Sequence, residues 1–412
     1  MVGTVRRKNR RKGRRARRRI AASKLFNHFL RATFGNYLTT RFGARAENAE
    51  FLKRLRPPYL VLPNHGSVLD PFFVNRFVPG IIHYVVSDSN FRSRIVEFGL
   101  ALVGSIPKTK AMSDLDTIKN IMDVTRRGGI VGIFPEGQSS WDGATLPMYY
   151  STAKLIKVLK VPVVVARLSG AFLTLPRWSK RRRYGKITVR FDLAFDAKGV
   201  RAASVDQINE RVVRLLEHDD VERNRVVRQT FTGRDRAEYA EIALFMCPSC
   251  RAIGSLRSEG NELGCSECGY RVRLSIYGLF EPVHGELRFD TMHGWNLWQT
   301  QEFRAAVDRY AQNGADAPLL AEEVAEVRIG FRENPLEPFA LGRMELYADR
   351  ITVLDGTETH EFPIAEIRGI NVQNKERLEF YSGEDLFSVS LPDPRGCTYK
   401  WDLAVRHLQQ GA

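Results

Sequence analysis

Three clusters in this 412-residue chain carry residue types that could do chemistry. The first is Pro63-Asn64-His65-Gly66-Ser67-Val68-Leu69-Asp70-Pro71, directly after Tyr59-Leu60-Val61-Leu62, a run of buried-strand composition. On one regular helix, residues five apart diverge by about 140°. A loop carrying Gly66 can instead fold His65 back over the Asp70 carboxylate. An imidazole held by a carboxylate is a general base of fixed tautomer. Pro71 disfavours helix at the residue before it and suits a first helical position, so Asp70 is predicted as an N-cap. A carboxylate at a helix start stays ionised and would stabilise the imidazolium. Taken alone, the same residues also fit a solvated loop histidine beside a capping aspartate. No serine stands in a nucleophile-elbow pattern and no cysteine is near. The simplest chemistry is direct: His65 removes the proton of a substrate hydroxyl, which attacks an acyl carbon.

The second cluster, Phe134-Pro135-Glu136-Gly137-Gln138-Ser139-Ser140, follows the apolar run 130–134 as the first follows its own strand. If the two strands run parallel, both loops leave the same carboxyl edge of the sheet, where open α/β sheets bind ligands. Glu136 offers a polar side chain there and Gly137 a close-approach backbone. The third cluster is Cys247-Pro-Ser-Cys250 and Cys265-Ser-Glu-Cys268, with fourteen residues between the pairs. Such spacing reads as a tetrahedral four-thiolate zinc site, structural because it leaves no open coordination position; an iron–sulfur site or redox pairs are the alternatives. Cys397 stands alone and is expected in the core.

Positioning these groups requires a scaffold, and the pattern supplies one. Strand-like runs at 59–62, 81–86, 130–134, 161–168 and 187–191 alternate with helical periods, one through Leu115, Ile118, Ile121 and Met122, another opening at Ser204 with Gln207 in a capping box. The expected fold class is α/β: a mixed, mainly parallel sheet flanked by helices. Residues 241–280 read as a small zinc ribbon with little core that needs its metal to fold. From 324 onward about seven short strands and a helix at 398–410 suggest a β-rich, pleckstrin-homology-like domain. The expected division is a basic disordered arm (1–19), a domain over 20–235 with an N-terminal amphipathic helix, the ribbon (241–280), and the β-rich domain (290–412).

With 43% apolar residues and 10% aromatics, the chain can bury a substantial core. No apolar run approaches the roughly 18 residues that cross a bilayer. The net charge is +16, of which eleven units sit in residues 1–20 as nine arginines and two lysines. Such an arm could contact any polyanion, lipid head group or nucleic acid alike. The helix that follows, 20–38, carries Leu25, Phe26, Phe29, Leu30, Phe34 and Leu38. That stripe can pack on its own domain, dip into a lipid surface, or do both.

The first two clusters resemble the glycerolipid acyltransferases of the lysophosphatidate acyltransferase type. The family's first motif, Asn-His then Asp after four residues, matches Asn64, His65 and Asp70. Its third, Phe-Pro-Glu-Gly-Thr-Arg-Ser, matches Phe134, Pro135, Glu136, Gly137 and Ser140; Gln138 and Ser139 depart from it. A degraded second motif lies at Gly104–Lys110, and Val161-Pro162-Val163-Val164 matches the fourth. The resemblance covers about residues 45–220. It implies His65 as base and Asp70 as its partner, with Asn64, Lys108, Lys110, Glu136, Gly137, Ser139 and Ser140 around the acceptor. Ser139 stands where the family has arginine, so a bidentate phosphate contact is missing; Lys108 or Lys110 would supply a point charge instead.

The implied reaction moves a fatty acyl group from an acyl thioester, acyl-CoA or acyl-carrier protein, to the free hydroxyl of a lyso-glycerolipid. The leading acceptor is 1-acyl-glycerol-3-phosphate, giving phosphatidate; another lysophospholipid or lipid acceptor is the alternative. The expected partner surface is an anionic membrane, with the protein peripheral on the inner, cytoplasmic face of the cell membrane. A nucleic-acid-binding ribbon protein leaves the His65 and Glu136 loops unexplained and ranks last.

Overall fold

A computed structural model describes residues 20–108, 115–314, 316–331 and 334–411. The expected basic arm and Lys110 lie outside these residues. In chain order the elements that matter here are α1 (Lys24–Leu30), α2 (Asn36–Arg41), β1 (Arg45–Glu47), β2 (Tyr59–Pro63), α3 (Asp70–Phe77), β3 (Ile82–Ser87), α4 (Arg94–Leu102) and β4 (Ile106–Lys108). There follow α5 (Leu115–Arg126), β5 (Ile130–Gly132), α6 (Tyr150–Leu159), β6 (Val163–Ser169), β7 (Thr188–Phe195), α7 (Val205–Leu216) and α8 (Asp220–Val227).

These strands form one seven-stranded sheet in the order β1-β7-β6-β2-β5-β3-β4. Every pairing is parallel except β6 with β7. All five residues of β2 are buried, as both faces of a helix-covered parallel sheet require. Successive side chains point to opposite faces. Tyr59 and Val61 therefore pack with Leu38, Phe73 and Val74 on one side, and Leu60 and Leu62 with Ile121, Val124, Ile156 and Val212 on the other. The helix opening at Ser204 begins with the reciprocal capping box read from sequence, Gln207 N–H to Ser204 and Ser204 N–H to Gln207.

The N-terminal helix departs from its expected continuous form. A π-helical turn, Arg31–Gly35, separates α1 from α2. Asn27, Gly35 and Leu38 are buried, while Leu25 and Phe29 are left 81% and 58% exposed.

Four short antiparallel strands, β8 (Leu256–Glu259), β9 (Glu262–Cys265), β10 (Arg271–Leu274) and β11 (Phe280–His284), make the cysteine-bearing sheet. It leads into α9 (Met292–Asn313). Seven antiparallel strands follow: β12 (Leu320–Gly330), β13 (Glu337–Leu346), β14 (Arg350–Asp355), β15 (Glu358–Pro363), β16 (Ile367–Gln373), β17 (Arg377–Ser382) and β18 (Asp385–Ser390). Their order, β15-β14-β13-β12-β18-β17-β16, curls the sheet so that first and last strands pair, and α10 (Thr398–Gly411) packs on β16 and β17.

The cysteine-bearing segment is not the core-poor insert that its sequence suggests. Leu256, Leu263, Val272 and Leu274 alternate inward and join one hydrophobic cluster with Trp295 and Phe303 of α9. The same cluster reaches Trp141, Phe172 and Trp178 on one side and the curled sheet on the other. Packing, as well as any metal, holds this segment.

Candidate active site

The parallel register of β2 with β5, Tyr59 opposite Ile130 through Val61 opposite Gly132, brings the His65 and Glu136 loops out side by side at the carboxyl edge. There His65 Nδ1 lies 2.9 Å from Asp70 Oδ2. The same oxygen accepts the N–H groups of Gly66 and Ser67, each at 2.8 Å. Asp70 is fully buried, and its Oδ1 has no hydrogen-bond partner among the described residues. Burial pushes its carboxyl pKa upward, opposed chiefly by the bond to His65.

Asp70 does not act as the N-cap. That position is Leu69, and Asp70 is the first residue of α3. Its carboxylate turns back onto the preceding loop, so it has no reach left for the helix's own N–H groups. Gly66 lets this loop pack closely on the segment after β6: a Cβ there would stand 3.1 Å from the backbone nitrogen of Phe172. With Nδ1 tied to Asp70, His65 presents Nε2. Its side chain is 20% exposed, with the Phe134 ring 4.2 Å from the imidazole.

The motif residues divide into scaffold and edge. Asn64 is buried and clamps the backbone of Leu168 in β6, accepting its N–H at 2.7 Å and donating to its carbonyl at 3.1 Å. Glu136 is also buried. One oxygen accepts the His65 N–H at 2.7 Å and the other the Leu146 N–H at 2.8 Å. Burial pushes its pKa up to about 8 against those two bonds. Ser140 donates its N–H to the His65 carbonyl at 2.8 Å, and its hydroxyl oxygen accepts from Gly143 at 2.9 Å. Gly137 has φ +73°, and a Cβ there would meet the Tyr149 ring at 2.5 Å. Ser139 is half-buried and Lys108 ends β4, half-buried and engaged with neighbouring groups. Three strand spacings put Lys108 roughly 14 Å along the edge from the His65 loop. Beneath the two loops a cavity of about 10 Å³ leaves room for about one water. The floor is packed.

Two features here could not be found from motifs. Arg177 stacks on Trp141, its guanidinium carbon 4.0 Å from the ring centroid, and donates to Gln138 Oε1 and the Ser139 carbonyl, each at 3.2 Å. It also donates to the carbonyls of Asn374 and Val372 at 2.5 and 2.6 Å, pinning the end of β16 to the Glu136 loop. Nearby, Arg92 forms a two-bond ion pair with Glu379 of β17, at 2.5 and 3.2 Å, both side chains nearly excluded from water. The curled sheet is thus seated against the loop that carries Glu136.

The four cysteines converge, with all four sulfurs within 4.8 Å of one another. Cys247–Cys268 and Cys250–Cys265 are each 3.7 Å apart. A tetrahedron with metal–sulfur bonds of about 2.3 Å has edges of about 3.8 Å, so the cluster could hold a metal ion. Cys397 is buried, as expected of a core cysteine.

The histidine–carboxylate pair and the Pro-Glu-Gly loop, side by side at the carboxyl edge of a mainly parallel sheet, lie within one segment that is similar to known proteins. The Acyltransferase family model matches residues 43–169, which contain both loops. Over 159 residues it is 24% identical to the chloroplastic 1-acyl-sn-glycerol-3-phosphate acyltransferase BAT2 of Brassica napus. The match covers 38% of this chain and 46% of that protein, so the chain spans about half the length of this curated relative. Among solved structures it is similar to the 1-acyl-sn-glycerophosphate acyltransferase PlsC of Thermotoga maritima, at 19% identity. That alignment covers 51% of this chain and 80% of that one, with a TM-score of 0.42.

Proposed function

We propose that the protein is a peripheral O-acyltransferase that esterifies a lyso-glycerolipid from an acyl thioester, acyl-CoA or acyl-carrier protein, by His65/Asp70 general-base catalysis. The observation that carries this reading is the Nδ1-tied imidazole, 20% exposed at the carboxyl edge of the sheet. His65 Nε2 takes the acceptor's hydroxyl proton as that oxygen attacks the thioester carbonyl. The C–O bond forms and the C–S bond breaks, and the imidazolium returns its proton to the departing thiolate. Asp70 stabilises the imidazolium. The reaction proceeds without an acyl-enzyme intermediate: Ser67 and Ser140, the serines beside His65 in the two loops, are both buried, and Ser140 is engaged with backbone N–H groups. Glu136 and Ser140 then hold the His65 peptide rather than the acceptor.

The leading acceptor is 1-acyl-glycerol-3-phosphate, the substrate named for the relative. A second acceptor class, another lysophospholipid or a lipid alcohol, is favoured by one observation. The loop arginine is replaced by Ser139, and Arg177, the guanidinium beside it, is turned onto four oxygen acceptors within the protein.

Membrane docking is supported by apolar side chains on two helices joined through the Leu102 carbonyl, which accepts from Ser23 and Asn27. Leu25 and Phe29 on α1, and Ile95 and Phe98 on α4, are 81%, 58%, 85% and 67% exposed. Each fully buried side chain of this size is worth about 1.5–3 kcal/mol, and each arm cation near an anionic leaflet about 1 kcal/mol. No helix among the described residues is long and apolar enough to cross a membrane. We place the protein on the inner face of the cell membrane, with a zinc ribbon at 241–280, its four cysteines holding structural zinc, and a pleckstrin-homology-like domain at 290–412.

The test presents purified protein with labelled acyl-CoA and acyl-carrier protein and a panel of lyso-acceptors in anionic vesicles. Diacyl product from at least one acceptor is expected, fastest with 1-acyl-glycerol-3-phosphate. Thioester consumption without an esterified lipid would overturn the reading.

A further inference from the structure

Asp142 lies just past the Glu136 loop and outside every motif above, yet it is buried. Its Oδ1 accepts the Ser140 hydroxyl at 3.1 Å and the Ala144 N–H at 3.2 Å. Its Oδ2 accepts Asn296 Nδ2 at 2.8 Å and pairs with His293 Nδ1 at 3.0 Å. Every acceptor site of the carboxylate therefore has a donor, as a buried charge requires.

The partners on each side continue the chain. Toward the cleft, Ser140 gives its N–H to the His65 carbonyl while Glu136 takes the His65 N–H, so both polar groups of that residue's backbone are held from one loop. Away from the cleft, Asn296 Oδ1 accepts Gln299 Nε2 at 2.8 Å. Gln299 is wholly buried. It accepts the N–H groups of Phe245 and Met246 at 2.9 and 3.3 Å and donates to the Ala243 carbonyl at 2.7 Å. Trp295 Nε1 donates to the Met246 carbonyl at 2.9 Å, and Cys247 follows directly. A buried run of hydrogen bonds joins the segment that enters the cysteine cluster to the peptide of the candidate base.

We propose that Asp142 is a positioning residue for the reaction at His65, held in register by Asn296 and Gln299 and through them anchored to the backbone that enters the four-cysteine site. The inference rests on the acyl-transfer reading for its rate effects and on geometry alone for the rest. Asp142 touches no substrate. It fixes the far end of the loop 136–144, whose near end holds His65, and a displacement of about 1 Å in a reacting group costs about 10²-fold in rate. The ribbon and α9 thereby become part of the frame of the catalytic edge.

The test uses the full-length, metal-loaded protein and exchanges donor for acceptor across one bond. Asp142→Asn sets an amide NH₂ against that of Asn296. It is expected to lower kcat about 10- to 100-fold with each KM within about threefold. Asn296→Ala removes the same link without adding a donor and is expected to lower kcat about tenfold. In the double variant Asp142→Asn/Asn296→Asp, the amide of residue 142 donates to the carboxylate of residue 296, and Gln299 still donates to that group. Recovery to within about threefold of wild type is expected. Hydrogen exchange over residues 136–146, read by mass spectrometry, should speed up in both single variants and return in the exchange. Folded single variants with wild-type kcat and wild-type exchange overturn the proposal. So does a folded double variant no better than either single one. If wild-type protein transfers no acyl group, the catalytic reading fails, while the exchange measurements still decide whether Asp142 holds the loop.

Discussion

Two histidine–aspartate pairs in this molecule have nearly the same length and opposite surroundings. His65–Asp70 measures 2.9 Å and His293–Asp142 3.0 Å. Asp70 collects three donors on one oxygen and leaves the other with no partner among the described residues, and burial pushes its pKa up. Asp142 is also buried, which by itself would raise its pKa. Its bonds to His293, Asn296 and Ala144 instead hold it below the ordinary carboxyl range. Asp70 keeps its donors within the loop that carries His65, whereas Asp142 ties residues 140–144 to α9, far apart in the chain, so the first pair is local to the candidate site and the second joins distant segments. Distance alone does not distinguish the two.

The sharpest break in this contrast should come from Asp70→Asn, which keeps an oxygen for the three donors but removes the charge. Steady-state kinetics should show kcat lower by about 10²–10⁴-fold with little change in Tm. His293→Ala should do the reverse. Loss of one hydrogen-bonding partner from buried Asp142 is expected to cost about 1–3 kcal/mol in urea unfolding, with the lesser effect on rate.

Smaller effects should appear in the pH dependence of stability. The pKa of His293 is raised by its bond to Asp142, with burial opposing. Its contribution is therefore full below the ordinary histidine pKa and lost as pH rises through the raised folded value. His293→Asn should flatten that fall in unfolding free energy measured across the range. Glu136, pushed up to about 8 by burial, binds its proton more tightly folded than unfolded. Its contribution is full below the ordinary value of 4.5 and disappears as pH climbs through about 8, a slope that Glu136→Gln should remove.

The same two pairs show what could be read in advance. His65 and Asp70 are five residues apart on one loop, so their meeting followed from Gly66 and the strand before it. The parallel strands, the Ser204 capping box, the cysteine convergence and seven late strands were equally local patterns. Asp142 meets His293 and Asn296 across 151 and 154 residues, and no spacing announces such a contact. Arg177 reaches Val372 and Asn374 across 195 and 197. Glu136 was recognisable as a motif residue, but not that both its oxygens would be spent on backbone N–H groups. The Asp70 cap misled for a related reason: Asp-Pro favours a capping aspartate, and here a nearer set of donors took the carboxylate. The packing of the cysteine-bearing segment was hidden because its partners, Trp295 and Phe303, lie on a helix later in the chain.

The most direct measurement compares His65→Ala with His293→Ala, both verified as folded, in acyl transfer from a labelled thioester to 1-acyl-glycerol-3-phosphate in anionic vesicles. The expected result is a loss of about 10²–10⁴-fold for His65→Ala and a much smaller one for His293→Ala. Full transfer by His65→Ala, or equal losses in the two variants, would contradict the assignment of His65 as the base.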